Sequence, residues 1–208
     1  MQTAADPIQL PHADQRSVEI LASVRQAFVE KGFDGASMQD LARAAGMSVG
    51  NFYRYFPSKA AIIQGMITLD LADIQRDFAR VMGSERPMEA LRQVVQHRIF
   101  ADDHQKDGAL WAEIQAAARR SPELNAAAQQ MESVITGFFI KIFAAETGLP
   151  EAEAASRFSA SAAFIMTLFK SAACLNCARP LDEKDLKSMI VRTINQTLDD
   201  ITTSARKA

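Results

Sequence analysis

Apolar residues in this chain recur at spacings of three and four rather than two, and this period predicts helices from end to end. Val18, Leu21, Val24 and Phe28 mark a first helix over residues 14–31, which Gly32 ends, with Phe33 placed to tuck back as an anchor. Ser37 reads as an N-cap, and Asp40 three residues on completes a capping box. A short helix follows, with Met38, Leu41, Ala42 and Ala45 on one face, and Gly46 closes it in the left-handed conformation. Ser48 caps the next short helix, VGNFYRYF, and Pro57 stops it. Phe52 and Phe56, four apart, share its inward face. Phe28, Leu41, Phe52 and Phe56 are then expected to fill a three-helix core.

Ser58 caps a long fourth helix over residues 59–82, whose stripe runs through Ile62, Met66, Leu69, Phe78 and Met82. At 1.5 Å per residue it is roughly 35 Å long and able to carry a rigid-body shift. Residues 83–87, GSERP, break the chain, and Pro87 suits the first position of a fifth helix reaching about 101. The polar run 102–108, DDHQKDG, reads as a loop before a sixth helix over 109–120. Ser121-Pro122 restarts the chain into a seventh helix to 146, ended by Gly148 and Pro150. An eighth helix, 151–175, is apolar nearly all round and so buried on several sides. Its small residues Ser159, Ala160, Ala163 and Ser171 admit a close neighbour. A ninth, from Pro180 and Asp182 to about 203, carries Leu186, Met189, Ile190, Ile194 and Leu198. The expected fold is therefore all-α, with about nine helices: a three-helix head over 14–74 and a helical domain over 75–208.

Composition agrees with this picture. Of 208 residues 48% are hydrophobic, while 9 glycines and 7 prolines leave little to interrupt helices. No alternating β-branched run flanked by turns predicts a strand. The N-terminus lacks the basic start and apolar run of a signal peptide, and no stretch has the length of a membrane span, so a cytoplasmic protein is expected. Residues 1–13, with two prolines and no Arg or Lys, read as a mobile tail.

The second and third helices form the helix-turn-helix pattern over residues 37–56, whose second helix enters the major groove of DNA. Val49 and Gly50 are small enough for close approach, Asn51 suits adenine, and Arg54 suits guanine or phosphate. Ser37, Tyr53 and Tyr55 are candidate phosphate contacts, and so is Lys59 in the first turn of the following helix. The net charge of −2 does not advertise nucleic acid, and acids offset the cations of the first sixty residues; a reading head needs only a local basic face.

The segment over 14–74 resembles the DNA-binding domain of the TetR family of bacterial transcription regulators. The resemblance rests on Ile20-Leu21, Phe28, Gly32-Phe33, Ser37, Leu41-Ala42, Ala45-Gly46-Met47-Ser48, Phe52-Tyr53, Tyr55-Phe56 and Ser58-Lys59, taken as an ordered set. It implies a homodimer, an all-helical C-terminal domain and, in many members, a small-molecule inducer. The two C-terminal helices packing against their copies make a four-helix interface; completing the monomer core is the alternative. On this expectation the chain is a repressor that binds a palindromic operator and is released by its inducer. A sequence-indifferent structural DNA binder, or a helical enzyme with a vestigial motif, are the alternatives.

Trp111, Met131, Phe138, Phe139, Phe164 and Met166 are candidate walls for an effector pocket, with His97, Arg98 and Gln115 as polar handles, although each is individually ordinary core or surface. No glycine-rich phosphate loop, H-E-x-x-H or G-x-S-x-G argues for catalysis, and no cofactor is expected. Cys174 and Cys177 form a C-x-x-C that no second pair or histidine completes as a zinc set; reduced thiols are its default reading, and a redox or metal switch the alternative.

Overall fold

The computed structural model describes residues 15–175 and 180–205, without the side chains at 102–107, 109, 180, 181 and 205. The described residues form α1 (Gln15–Gly35), α2 (Met38–Ala44), α3 (Val49–Tyr55), α4 (Lys59–Met82), α5 (Pro87–Phe100), α6 (Asp102–Ala118), α7 (Pro122–Thr147), α8 (Glu151–Ala173) and α9 (Pro180–Ala205). The tail over 1–13 and Cys177 lie outside them. The chain divides into two compact units after Asp70, within α4 and slightly ahead of the expected boundary at 74.

The first unit is the three-helix head. α1 breaks at Gly32, where φ is 69° and ψ 169°, a conformation open to glycine. The chain turns there, and Phe33 stacks on Phe28 with centroids 6.1 Å apart. Phe28, Leu41, Phe52, Ile62 and Met66 are wholly buried, and Phe56 almost so. Truncating a phenylalanine in such a core costs about 3–5 kcal/mol.

The second unit is built on α7 and α8, with α5, α6 and α9 around them. Ile99, Phe143, Ala162, Ile165 and Leu198 are fully buried at its centre. Gly148 (φ 71°) ends α7 as expected. One expectation is overturned. Residues 102–108 are helical, not a loop, and only Ala101, with ψ at 138°, separates α5 from α6. The run contains no proline, and polarity alone does not end a helix. Its Gly108 is there for packing: a Cβ at that position would lie 1.8 Å from the carbonyl oxygen of Ala173. α6 and the end of α8 thus meet backbone to backbone. The Cys174 thiol sits at the same place, 3.6 Å from the Gly108 carbonyl oxygen. Among the described residues no helix is long and apolar enough to cross a membrane.

Candidate functional site

The geometry of the head begins with Ser37 and Asp40. The Asp40 amide donates to Ser37 Oγ (3.1 Å) and the Ser37 amide donates to Asp40 Oδ2 (3.1 Å), the reciprocal bonds of a capping box. Ser37 Oγ also donates to Oδ2 at 2.5 Å, and Lys31 Nζ donates to Oδ1 at 2.6 Å. The Lys31 bond first, and the Ser37 bonds after it, hold the Asp40 carboxyl well below the usual carboxylate range.

The turn is fixed by Gly46, with φ at 64°. The Met47 amide donates to the Ala42 carbonyl (2.9 Å) and the Gly46 amide to the Arg43 carbonyl (3.0 Å). These two bonds are those of a Schellman motif, and they use carbonyls that the end of α2 leaves open. Ser48 then accepts from the Asn51 amide at 3.4 Å and starts α3.

α3 is anchored by one buried side chain, Phe52, whose ring lies 6.1 Å from that of Phe56. The other face of α3 is outside. Val49, Gly50, Asn51, Tyr53 and Arg54 are exposed, Tyr53 by 47%, and Tyr55 is half-buried. A Cβ built on Gly50 meets no atom within 4 Å, so no contact within the fold requires a glycine there.

Charge pairing explains how a head with balanced charges keeps a basic point. Arg16 pairs with Glu19, Arg25 with Asp70, and Lys31 and Arg43 with Asp40. Arg54, among the described residues, has neither an ion pair nor a hydrogen bond. The acids thus neutralise their neighbours and leave the guanidinium on the exposed face of α3 open.

Two expected phosphate contacts have partners inside the chain. The Ser37 hydroxyl is engaged by Asp40, as above. Lys59 Nζ donates to the carbonyls of Phe33 (2.7 Å) and Asp34 (3.2 Å) and lies 4.9 Å from the Phe33 ring centroid. The first pair is the expected capping box; sequence reasoning missed the Lys59 contacts, because their acceptors are open carbonyls in the last turn of α1, remote in sequence.

In the second unit, α4, α5, α7 and α8 line a partly open cavity of about 120 Å³. Ile74, Phe78 and Val81 line it from α4, Leu91, Val94 and Val95 from α5, Ile135, Phe138, Phe139 and Ile142 from α7, and Met166 and Phe169 from α8. Phe78 and Phe138 stack with centroids 4.3 Å apart and planes 12° apart. Asp77 and Arg98 are the ionisable residues of the wall. Arg98 Nε donates to Asp77 Oδ2 at 2.8 Å, Arg98 Nη2 donates to the same oxygen, and Arg80 Nη2 donates to Oδ1 at 2.7 Å.

Of the expected pocket residues, Arg98, Phe138, Phe139 and Met166 meet at this cavity. His97, Trp111, Gln115, Met131 and Phe164 are not brought to it. His97 and Gln115 are exposed, Trp111 is half-buried, Met131 is core, and Phe164 is 46% exposed. Helical phase excludes two of them: Val94, Val95 and Arg98 share one face of α5 and His97 falls off it, as Phe164 does relative to Met166 and Phe169 on α8. Trp111 and Gln115 lie on α6, which gives the lining no residue, and Met131 lies one turn before Ile135 on the same stripe of α7. The α4 wall was missed, although Ile74, Phe78 and Val81 keep helical spacing beside Asp77.

Comparison with known proteins agrees with this geometry. Residues 20–66 match the family model described as bacterial regulatory proteins, tetR family. The HTH-type transcriptional regulator UidR of Escherichia coli (strain K12) is 33% identical over 142 residues, 66% of this chain and 65% of the relative. The HTH-type transcriptional regulator EthR of Mycolicibacterium smegmatis (strain ATCC 700084 / mc(2)155) is 30% identical over 145 residues, 69% of this chain and 63% of the relative. The chain therefore spans just under two thirds of the length of these curated relatives. Among solved structures, Salmonella enterica GusR superposes with a TM-score of 0.65 at 22% identity, covering 90% of this chain and 99% of that one. AibR, solved in complex with isovaleryl coenzyme A and operator DNA, gives 0.64 at 18% identity over 86% and 97%. These two likenesses show the fold, and the match in sequence shows that residues 20–66 carry the domain of the tetR family of bacterial regulatory proteins.

Proposed function

We propose that this protein is a sequence-specific, DNA-binding transcription regulator, a cytoplasmic repressor that a small-molecule effector releases from its operator. The observation that carries this reading is α3 itself. It is capped at Ser48 and anchored through Phe52, and it turns Asn51 and the unpaired Arg54 outward. Asn pairs bidentately with adenine and Arg with guanine, so this face has the donors and acceptors that read base edges. Val49 and Gly50 set closeness, and Tyr53 and Tyr55 are the phosphate contacts of the reading; Ser37 and Lys59 support the head that presents them.

Homodimerisation through α8 and α9 completes the proposal. Ala160, Ala163 and Phe164 of α8 are exposed, as are Leu186 and Met189 of α9, the last by 56%. Small and apolar residues on an outer face suit a self-complementary interface, and a two-fold axis predicts a palindromic operator with half-sites one helical turn or a multiple apart. The apolar cavity of the second unit is the effector site of this reading. An effector releases DNA through its differential affinity for the two conformations, with about 1.4 kcal/mol for each tenfold change.

The test is selection of bound sequences from a random DNA pool by the purified protein. A palindromic consensus is expected. An unenriched pool from a folded dimer, with and without candidate effectors, overturns the sequence-specific reading, and non-specific retention in the same experiment identifies a structural DNA binder.

A further inference from the structure

On the reading of the second-unit cavity as the effector site, we propose that it takes a neutral apolar molecule carrying an aryl or alkyl group, and that it discriminates against the carboxylate of the same shape. The size argument comes first. The cavity measures about 120 Å³. An engineered cavity of about 150 Å³ with a similar aliphatic and aromatic lining stays dry and binds benzene. A single ring or a short branched chain is therefore the portion of a ligand that fits inside.

The wall decides the polarity. Phe78 and Phe138 form one side as a stacked pair, and Val95, Ile142 and Met166 are aliphatic or thioether surface. Two ionisable residues touch the cavity, and each already has its counter-charge. Both Nε and Nη2 of Arg98 are directed at Asp77 Oδ2, and Asp77 Oδ1 is taken by Arg80. The Asp77 side chain is 18% exposed. An incoming carboxylate meets a guanidinium whose charge Asp77 already compensates, and pairing with its Nε and Nη2 draws Arg98 from Asp77 and leaves a largely buried carboxylate short of one partner, which is strongly unfavourable. A neutral ligand leaves this pair intact and needs only apolar surface. His97 and Gln115 are exposed and outside the lining, so they supply no alternative handle for an anion.

Toluene and benzoate are a nearly isosteric pair that isolates the charge. Calorimetric titration of the purified full-length chain, without DNA, is expected to show saturable binding of toluene and at least about 30-fold weaker binding of benzoate. Val94→Phe, which fills the cavity from α5, is expected to abolish toluene binding while thermal unfolding confirms that the variant folds. Asp77→Asn leaves Arg98 with an uncompensated charge and is expected to strengthen benzoate binding about tenfold, a gain that Arg98→Met in the same chain removes. Absence of saturable toluene binding, toluene binding that survives Val94→Phe in a folded protein, or benzoate binding as tight as toluene each overturns the proposal. The effector reading is scored separately, by operator binding. Toluene that binds and leaves DNA affinity unchanged supports this inference and removes the effector role; release of the operator by anions, with toluene inert, overturns this inference and leaves the effector role standing.

Discussion

Lys59 Nζ, in the first turn of α4, donates a hydrogen bond of 2.7 Å to the carbonyl oxygen of Phe33, just after the break in α1. The contact joins residues 26 apart in sequence and places a cation on carbonyls that no helical amide satisfies. Lys59→Gln is expected to lower the stability of the head by about 1.5–3 kcal/mol, the range for hydrogen bonds to charged groups. Chemical denaturation measures that loss. The salt dependence of operator affinity distinguishes the two roles of this residue. An unchanged slope of log K against log salt fits a lysine that serves the fold, whereas a slope reduced by about 0.9 reveals a phosphate contact.

Gly50 separates the requirements of folding from those of DNA approach. Its φ is negative and a Cβ there meets no neighbour, so Gly50→Ala is expected to stabilise the protein by about 0.5–1 kcal/mol through helix propensity. The same change inserts a methyl group where α3 meets DNA in the proposed complex, and operator affinity is expected to fall. A rise in melting temperature with undiminished affinity places Gly50 away from the DNA backbone and bases. Asn51→Ala complements it: the loss of about 1–3 kcal/mol is expected at one base pair of the operator, and an equal loss on every operator variant removes the reading role.

The Asp40 carboxyl supplies a pH signature. Its folded pKa is depressed by Lys31 and Ser37, so its contribution to stability is fully present above the unfolded value of about 3.9 and is lost as pH falls below that towards the folded value. Thermal unfolding of Asp40→Asn beside the natural protein is expected to show a constant deficit above about pH 5 and a narrowing one below about pH 4. A deficit independent of pH down to acid unfolding contradicts the ion-pair account.

Phe164 tests the interface. At 46% exposure in the isolated chain it contributes little to the monomer core. Phe164→Glu is expected to leave the helical content intact and to weaken dimerisation by about 2 kcal/mol or more, as for a central aromatic contact. Analytical ultracentrifugation across a concentration series measures this, and a dimer unaffected by the change moves the interface elsewhere.

The elements of the head were legible because their boundaries depend on local chemistry. Ser37 with Asp40, Gly46, Ser48 and Ser58 each act on amides or carbonyls within a few residues, and all four perform the expected capping or turning. Pro87, Pro122 and Gly148 delimit the later helices for the same reason. The partnership of Lys59 with Phe33 was not legible, since it depends on how α4 docks on α1. The cavity was half legible. Periodicity selects the inward residues of a single helix, such as Phe138, but the wall is an agreement among four helices, and α4's share of it follows from their packing. The run at 102–108 was misread because polarity was taken for irregularity, where the chain has a helix start and a glycine needed by a neighbour.

That glycine has a mechanical meaning. Most helix pairs touch through side chains, which change rotamer and let one helix slide or roll against the other. Where Gly108 faces Ala173 there is no such compliant layer, because a single added carbon would overlap a main-chain carbonyl. The start of α6 and the last turn of α8 therefore cannot come closer at this point, which is a hard stop rather than a cushioned bearing. A displacement that presses the last turn of α8, one to two turns beyond Met166 and Phe169 of the cavity wall, toward α6 therefore meets main chain at once.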